Sequence, residues 1–292
     1  MKKLITTAII LLMILSCSKT KQESHKNSIT VSILPQKFFA EKITGGKFKI
    51  NVLLPPGVSP HTYEPVPSVL KDLSESEIYF TVGQLDFEVT WMDRFKAVNP
   101  SLLIVETSKG ADFIVSNEHH HEDEHAEHGH EGADPHIWMS PKEVKVMCAN
   151  MLEAILKADP LNKEFYQTNY DLFVKDLDKL DMQIRTMLSD LKQRKFIIYH
   201  PALSYFARDY GLEEISVEMN GKDPAPDDLK KLIDTALSDG IKTIFVQKQF
   251  DARQAESVAS EIGGTVMPLD HLSEDWINNL ILIARTIQYG QQ

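Results

Sequence analysis

The 292-residue sequence predicts an α/β protein of two lobes, each with a parallel sheet, bridged by one long rigid helix. Short β-branched and aromatic segments alternate with segments of helical periodicity in residues 29–158, and the same alternation returns in residues 195–292. Such alternation is typical of βαβ units, whose strands pair in parallel. Between the two regions, residues 159–194 carry one uninterrupted helical repeat of apolar side chains.

The first lobe, residues 29–158, is predicted to contain four strands with helices between them. Prolines and glycines mark where the strands end. The predicted strands are Ile29–Leu34, Phe48–Leu54, Glu77–Val82 and Leu102–Val105, and the predicted helices are Phe38–Ile43, Pro67–Leu73, Trp91–Val98 and Pro141–Lys157. Loops that follow parallel strands open at the carboxyl edge of the sheet, where ligands bind. One of them, residues 55–65, is stiffened by four prolines and presents His61 at its apex.

A linking helix is predicted for residues 159–194. Its apolar side chains step by four and three residues from Tyr166 to Leu191, which is the stripe of an amphipathic helix. A helix of about 33 residues is about 50 Å long at 1.5 Å per residue. A coiled coil has similar spacing, but the charges beside the stripe do not follow a coiled-coil pattern. We therefore expect a strut that packs across both lobes.

The second lobe, residues 195–292, repeats the pattern of the first. The predicted strands are Phe196–Tyr199, Thr243–Val246 and Thr265–Leu269, and the predicted helices are Leu203–Tyr210, Asp227–Leu237, Ala252–Ile262 and Trp276–Tyr289. Two potential ligands come directly after strands in this lobe, His200 after the first and Asp270 after the last.

Residues 1–16 have the features of a secretory signal. Positive charge at residues 1–3 precedes an apolar run that is too short to span a bilayer as a helix. The run ends at Ile14-Leu15-Ser16-Cys17, which resembles a bacterial lipobox and implies cleavage before Cys17 and acylation of its thiol. The alternative is an ordinary signal peptide with an accidental cysteine. Residues 17–28 are then a polar tether, and the protein is extracytoplasmic, periplasmic or at the cell surface.

Residues 118–131 mix histidines with carboxylates and contain no Lys or Arg. The segment is polar and has no apolar periodicity, so we expect a mobile loop. Imidazole binds zinc, copper, nickel and iron, which makes the segment a candidate metal-collecting loop. The alternative is a solvated acidic run with incidental histidines. The candidate auxiliary ligands are His119, His120, His121, His125, His128 and His130.

Four further candidates come from rigid loops or strand ends, namely His61, His136, His200 and Asp270. His136 lies in Asp-Pro-His-Ile-Trp, a segment that proline stiffens. Nitrogen and oxygen donors of this kind suit a tetrahedral zinc site. The net charge of −11 argues against a nucleic-acid partner and favours cationic ligands.

Three motifs resemble the zinc/manganese solute-binding proteins of ABC metal importers. They are Gly57-x-x-Pro60-His61-x-Tyr63-Glu64-Pro65, Asp134-Pro135-His136-Ile137-Trp138 and His200-Pro201-Ala202-x-x-Tyr205-Phe206-Ala207. The resemblance extends over most of residues 29–290 and implies two lobes bridged by one long helix, with the metal between them. Matched by position, the metal ligands are His61, His136 and His200, with Asp270 as the fourth candidate.

The resemblance also implies partners. These are the permease and ATPase of an ABC transporter, and the membrane through the lipid anchor; the protein is expected to be a monomer. The bound ion is the transported Zn²⁺ rather than a catalytic cofactor. A zinc hydrolase is an alternative class, with Glu64 as its candidate general base. No His-Glu-x-x-His, Gly-x-Ser-x-Gly or Walker sequence is present, so we expect no enzymatic activity.

The chain departs from the family pattern in ways that bear on the metal. Asp270-His271-Leu272 stands where Asp-Pro-Leu is common, so His271 is a candidate for a competing or assisting ligand. Manganese-type members often carry Glu where His200 stands. Three imidazoles and one carboxylate favour zinc over manganese, as does a His-rich loop. A manganese importer component and an adhesin-like surface lipoprotein are the alternatives.

Overall fold

The computed structural model describes residues 27–115, 132–218 and 224–290. The predicted signal, Cys17, most of the tether and the six loop histidines lie outside the described residues. Within these ranges, no helix is both long enough and apolar enough to cross a membrane.

The first lobe is built on a parallel sheet of four strands in the order β2-β1-β3-β4. The strands are β1 (Ser28–Val31), β2 (Lys49–Val52), β3 (Ile78–Thr81) and β4 (Leu103–Glu106), and the helices are α1 (Leu34–Thr44), α2 (Pro67–Ser74), α3 (Asp86–Val98) and α4 (Pro141–Ala158). A short 3₁₀ turn, Ile137–Met139, precedes α4. All four predicted strands of this lobe are confirmed.

The second lobe contains another parallel sheet, in the order β6-β5-β7-β8. Its strands are β5 (Lys195–Ile198), β6 (Glu213–Ser216), β7 (Thr243–Gln247) and β8 (Thr265–Leu269), and its helices are α6 (Ser204–Tyr210), α7 (Pro226–Asp239), α8 (Arg253–Glu261) and α9 (Trp276–Gly290). Strand β6 was not predicted, because its sequence Glu-Glu-Ile-Ser is short and half charged, as edge strands often are.

The linking helix is α5 (Lys163–Leu188), preceded by a 3₁₀ turn at Pro160–Asn162. Its 26 residues span about 39 Å at 1.5 Å per residue, shorter than predicted. Its first half holds the first lobe, where the Asn169 side chain donates to the Ile43 carbonyl over 3.1 Å. Its second half holds the second lobe, where Arg185 donates to the Asp209 carbonyl over 2.9 Å. The predicted strut across both lobes is therefore confirmed.

The larger of the two hydrophobic core clusters in the described residues runs through both lobes, and the smaller one lies within the second lobe. The larger cluster joins the first sheet, the buried stripe of α5 and one face of the second sheet. At its centre the Trp276 ring from α9 meets Phe39 of α1 edge-on, with centroids 5.0 Å apart. The indole N–H of Trp276 also donates to the Trp138 carbonyl over 2.8 Å, and that of Trp138 donates to the His271 carbonyl over 2.7 Å. The lobes are thus joined by buried packing and by hydrogen bonds that leave no indole N–H unpaired at this junction.

Because the core is continuous, we predict that both lobes unfold in one transition. Trp276→Ala removes a fully buried aromatic side chain and should lower the free energy of unfolding by about 3–5 kcal/mol. Urea unfolding followed by circular dichroism measures the change.

The matched control is Leu282→Ala on the same helix, where the leucine is 58% exposed and the expected loss is within about 0.5 kcal/mol. Equal losses in the two variants, or two separated transitions in the parent protein, contradict a shared core.

Candidate metal centre

Three histidines from separate segments converge between the lobes. His61 lies in the proline-rich loop after β2, His136 lies directly before the 3₁₀ turn, and His200 follows β5 by two residues. His136 and His200 are buried and His61 is partly exposed. We call these three residues the histidine cluster. It is the group of potential ligands that the described residues bring together, with one ligand atom of each side chain within 4.8 Å of the others.

The spacing of the histidine cluster suits a small tetrahedral cation. The Nε2 atoms of His61 and His200 are 3.1 Å apart. Two nitrogens bound to one tetrahedral zinc at 2.0–2.1 Å lie about 3.3 Å apart. The ring centroids are also close, at 4.7 Å for His61 and His200 and 5.2 Å for His136 and His200. A zinc ion therefore fits among the three rings with little rearrangement.

Each ring of the histidine cluster is oriented by a carboxylate on its Nδ1 atom. Asp86 lies 2.7 Å from Nδ1 of His61, Asp134 lies 2.8 Å from that of His136, and Glu218 lies 3.0 Å from that of His200. An ionised carboxylate only accepts hydrogen bonds, so each Nδ1 carries the proton. The lone pair of each ring is then on Nε2. In His61 and His200 the two Nε2 atoms face each other. Carboxylates in this position orient ligands and make them more basic.

The pKa shifts at the site agree with this arrangement. The hydrogen bond from His61 is the main reason that the pKa of Asp86 is lowered. Burial raises the pKa of Asp134, but the charge of His136 and its hydrogen bonds outweigh burial and leave that pKa below its usual value. Burial also lowers the pKa of His200 more than Glu218 raises it. Asp86 and Asp134 are therefore ionised and His200 is neutral near pH 7, and a neutral imidazole is the form that binds a metal.

Facing lone pairs make the histidine cluster unfavourable without a cation. If Nε2 of both His61 and His200 carries a lone pair, two acceptors face each other over 3.1 Å. The buried Nε2 of His136 has no hydrogen-bond partner in the described part of the chain. Buried polar atoms of this kind are rare and cost free energy. A metal ion bound here would satisfy all three nitrogens at once.

Asp270 is not brought into the histidine cluster. Its carboxylate accepts a hydrogen bond from the Leu272 backbone N–H over 3.0 Å and lies 3.5 Å from the Lys248 ammonium. The role of Asp270 as a ligand stays a prediction.

The carboxylates that orient the rings were missed at the level of sequence. Asp86 is the first residue of α3, and Glu218 follows β6 by two residues. The available signal was their position after strands, at the same sheet edge as the ligands. For Glu218 this signal was lost, because strand β6, which precedes Glu218, was not predicted.

The comparisons with known proteins match nearly the whole described chain. Residues 29–290 match the family model described as ZnuA, zinc-uptake complex component A, periplasmic. The chain belongs to the ZnuA family. The family is one of metal-uptake components and not a class of enzyme, and the resemblance noted from the motifs is confirmed.

Individual relatives agree with the family assignment. The high-affinity zinc uptake system protein ZnuA of Bacillus subtilis is 28% identical over 287 residues, covering 92% of this chain and 88% of its own. A crystal structure of ZnuA is 37% identical, with a TM-score of 0.84, and the match covers 91% of this chain and 99% of that one. A ZnuA deletion mutant with zinc bound matches with the same identity and TM-score, over 91% of this chain and 98% of that one. The two-lobed architecture with parallel sheets is therefore shared with solved members.

The orienting carboxylates generate a prediction about metal affinity. Glu218→Ala leaves the His200 ring without a partner on Nδ1 and should weaken zinc binding about 10–100-fold. Competition with a chromophoric chelator at pH 7 measures the affinity.

Glu213→Ala is the control, because Glu213 is an exposed carboxylate at the start of the strand that precedes Glu218. The assignment of Glu218 as an orienting residue fails if both variants bind zinc as tightly as the parent protein.

Proposed function

We propose that the protein is an extracytoplasmic zinc-binding lipoprotein that captures Zn²⁺ between its lobes and delivers it to an ABC importer. The observation that carries the proposal is the convergence of His61, His136 and His200, each with its Nδ1 atom on a carboxylate. Membership of a family of zinc-uptake components supports it, as does a relative solved with zinc bound. The family pattern implies Asp270 as a candidate fourth ligand.

Zinc is the proposed cargo rather than manganese. Manganese prefers carboxylate, carbonyl and water oxygens, whereas imidazole suits zinc. The histidine cluster offers three nitrogen donors, and the nearby carboxylates of Asp86, Asp134 and Glu218 are occupied by the Nδ1 atoms of the rings. The set of donors is therefore better matched to zinc.

The rigid junction of the lobes supports tight capture. The histidine cluster is held by two sheets that share one core, so little chain has to be ordered when the ion binds. Ordering a flexible segment costs about 1–2 kcal/mol per backbone residue fixed. Because the sequence predicts a mobile loop at residues 118–131, we propose that the histidines of this loop bind zinc more weakly and raise its concentration near the histidine cluster. We also propose that Cys17 is acylated and anchors the protein to a membrane. The protein then delivers Zn²⁺ to the permease of an ABC transporter, which works with its ATPase.

A substitution in the histidine cluster tests the proposal. His136→Ala removes a buried ligand from the rigid site and should weaken the tightest zinc-binding event by more than about 100-fold, beyond what loss of an orienting partner costs. Calorimetric titration of the full-length protein, with a chelator competitor, measures the effect.

His121→Ala, in the auxiliary loop, is the matched control and should leave the tightest event unchanged while lowering the total zinc bound. Unchanged tight binding in His136→Ala overturns the assignment of the site.

Zinc affinity should also depend on pH. A ligand imidazole must lose its proton to bind, so protons compete with zinc as the pH falls. A free imidazole with a pKa of about 6.5 loses about 25-fold in metal affinity between pH 7 and pH 5. Burial lowers the pKa of His200, so His200 contributes less than this over the same interval. We expect the total loss to exceed about tenfold, measured by chelator competition at each pH.

Circular dichroism at the same pH values is the control for loss of fold. A flat affinity profile in folded protein argues against imidazole ligands.

A further inference from the structure

His271 is a buried histidine beside the histidine cluster whose ring nitrogens have no partner in the described residues. The residue is 1% exposed. Neither Nδ1 nor Nε2 accepts or donates a hydrogen bond within the ranges that the structure describes. Buried polar side-chain atoms normally have at least one partner, and burial without one is costly. The ring therefore points to a missing interaction.

The position of the ring identifies the missing partner. The His271 centroid lies 5.6 Å from that of His136 and 6.5 Å from that of His200. In a tetrahedral zinc site made of imidazoles, ring centroids lie about 5.2 Å apart when the metal–nitrogen distance is 2.0–2.1 Å. The Nε2 atom of His136 is also buried without a partner. The ring nitrogens of His271 do not lie within 4.8 Å of every ligand atom of the histidine cluster, so the His271 side chain has to move towards the ion when it binds.

The structure holds the His271 segment in place through its backbone. The Trp138 indole N–H donates to the His271 carbonyl over 2.7 Å, and the Asn279 side chain donates to the Asp270 carbonyl over 2.5 Å. The Trp138 ring lies nearly parallel to the His271 ring, at 23° with centroids 6.3 Å apart. These contacts fix the segment and leave both ring nitrogens of His271 available.

We propose that a ring nitrogen of His271 is the fourth zinc ligand, which gives a site of four imidazoles. This inference rests on the proposed function and deepens it, because it defines the set of donors. Asp270 then has a positioning role, since its carboxylate accepts the Leu272 N–H and shapes the turn that carries His271.

Charge balance is compatible with four neutral ligands. The carboxylates of Asp86, Asp134 and Glu218 lie one hydrogen bond behind the rings and offset the charge of a divalent ion. A set of donors without a direct oxygen ligand also discriminates strongly against manganese. The four-imidazole site therefore accounts for selectivity as well as for the unpaired ring.

The first test counts imidazole ligands by zinc-edge X-ray absorption spectroscopy. The sample is the full-length chain at less than one equivalent of zinc, with the six loop histidines replaced by asparagine so that they are not counted. We expect four imidazoles in this background and three after His271→Asn. A count that is the same with and without His271 overturns the proposal.

The second test compares melting temperatures with and without zinc. His271→Leu removes the unpaired buried nitrogens, so the metal-free protein should melt at the same temperature or higher. The rise in melting temperature on adding zinc should shrink, because affinity falls by more than the 10–100-fold typical of an orienting residue. Asp270→Asn is the matched control and should keep four imidazoles. Loss of one oxygen ligand in Asp270→Asn, with His271→Leu binding zinc normally, assigns the fourth position to Asp270 instead.

His200→Ala separates failure of this inference from failure of the proposed function. If the three-histidine site is right, His200→Ala loses one imidazole whatever the role of His271. If His200→Ala changes neither the count nor the affinity, the proposed function itself fails, and the inference fails with it.

Discussion

The structure depends on three imidazole nitrogens that face one another between the lobes. Carboxylates hold the protons on the opposite side of each ring, so the facing nitrogens carry lone pairs, and two of them are only 3.1 Å apart. Such an arrangement costs free energy, which a cation among the rings would offset. The fold therefore keeps together groups that repel one another, and binding of the proposed zinc ion would remove that cost.

The fold holds the three histidines together by using the same sheet topology in both lobes and by joining the two lobes rigidly. Both sheets are parallel with equivalent strand orders. His61 and His200 lie in segments that follow strands, and His136 lies directly before a 3₁₀ turn. Helix α5 holds both lobes, and the hydrogen bonds of Trp138 and Trp276 tie the junction directly beside the site. A pre-organised site loses less free energy to ordering on binding. Selectivity then comes from which donors the rigid frame presents.

Much of this could be predicted from the sequence, and the omissions have physical causes. His61, His136 and His200 were predicted because each lies in a stiff segment or directly after a strand. Strand β6 was missed because two of its four residues are glutamates, and with it the partner of His200. Helix α5 ends at Leu188, before its predicted end, where Ser189 bonds the Thr186 carbonyl and competes with the helical pattern. The pairing of Asp86 with His61, 25 positions apart, requires the tertiary fold.

The position of the bound ion is tested most directly by anomalous diffraction at the zinc edge. The crystals are of the full-length protein, grown with zinc as the only added metal. We expect one dominant peak within about 2.0–2.1 Å of the Nε2 atoms of His61, His136 and His200. Weaker peaks near the auxiliary loop are compatible with this expectation. A dominant peak away from the histidine cluster, or one bound by a single member of it, would show that the zinc site is assigned wrongly.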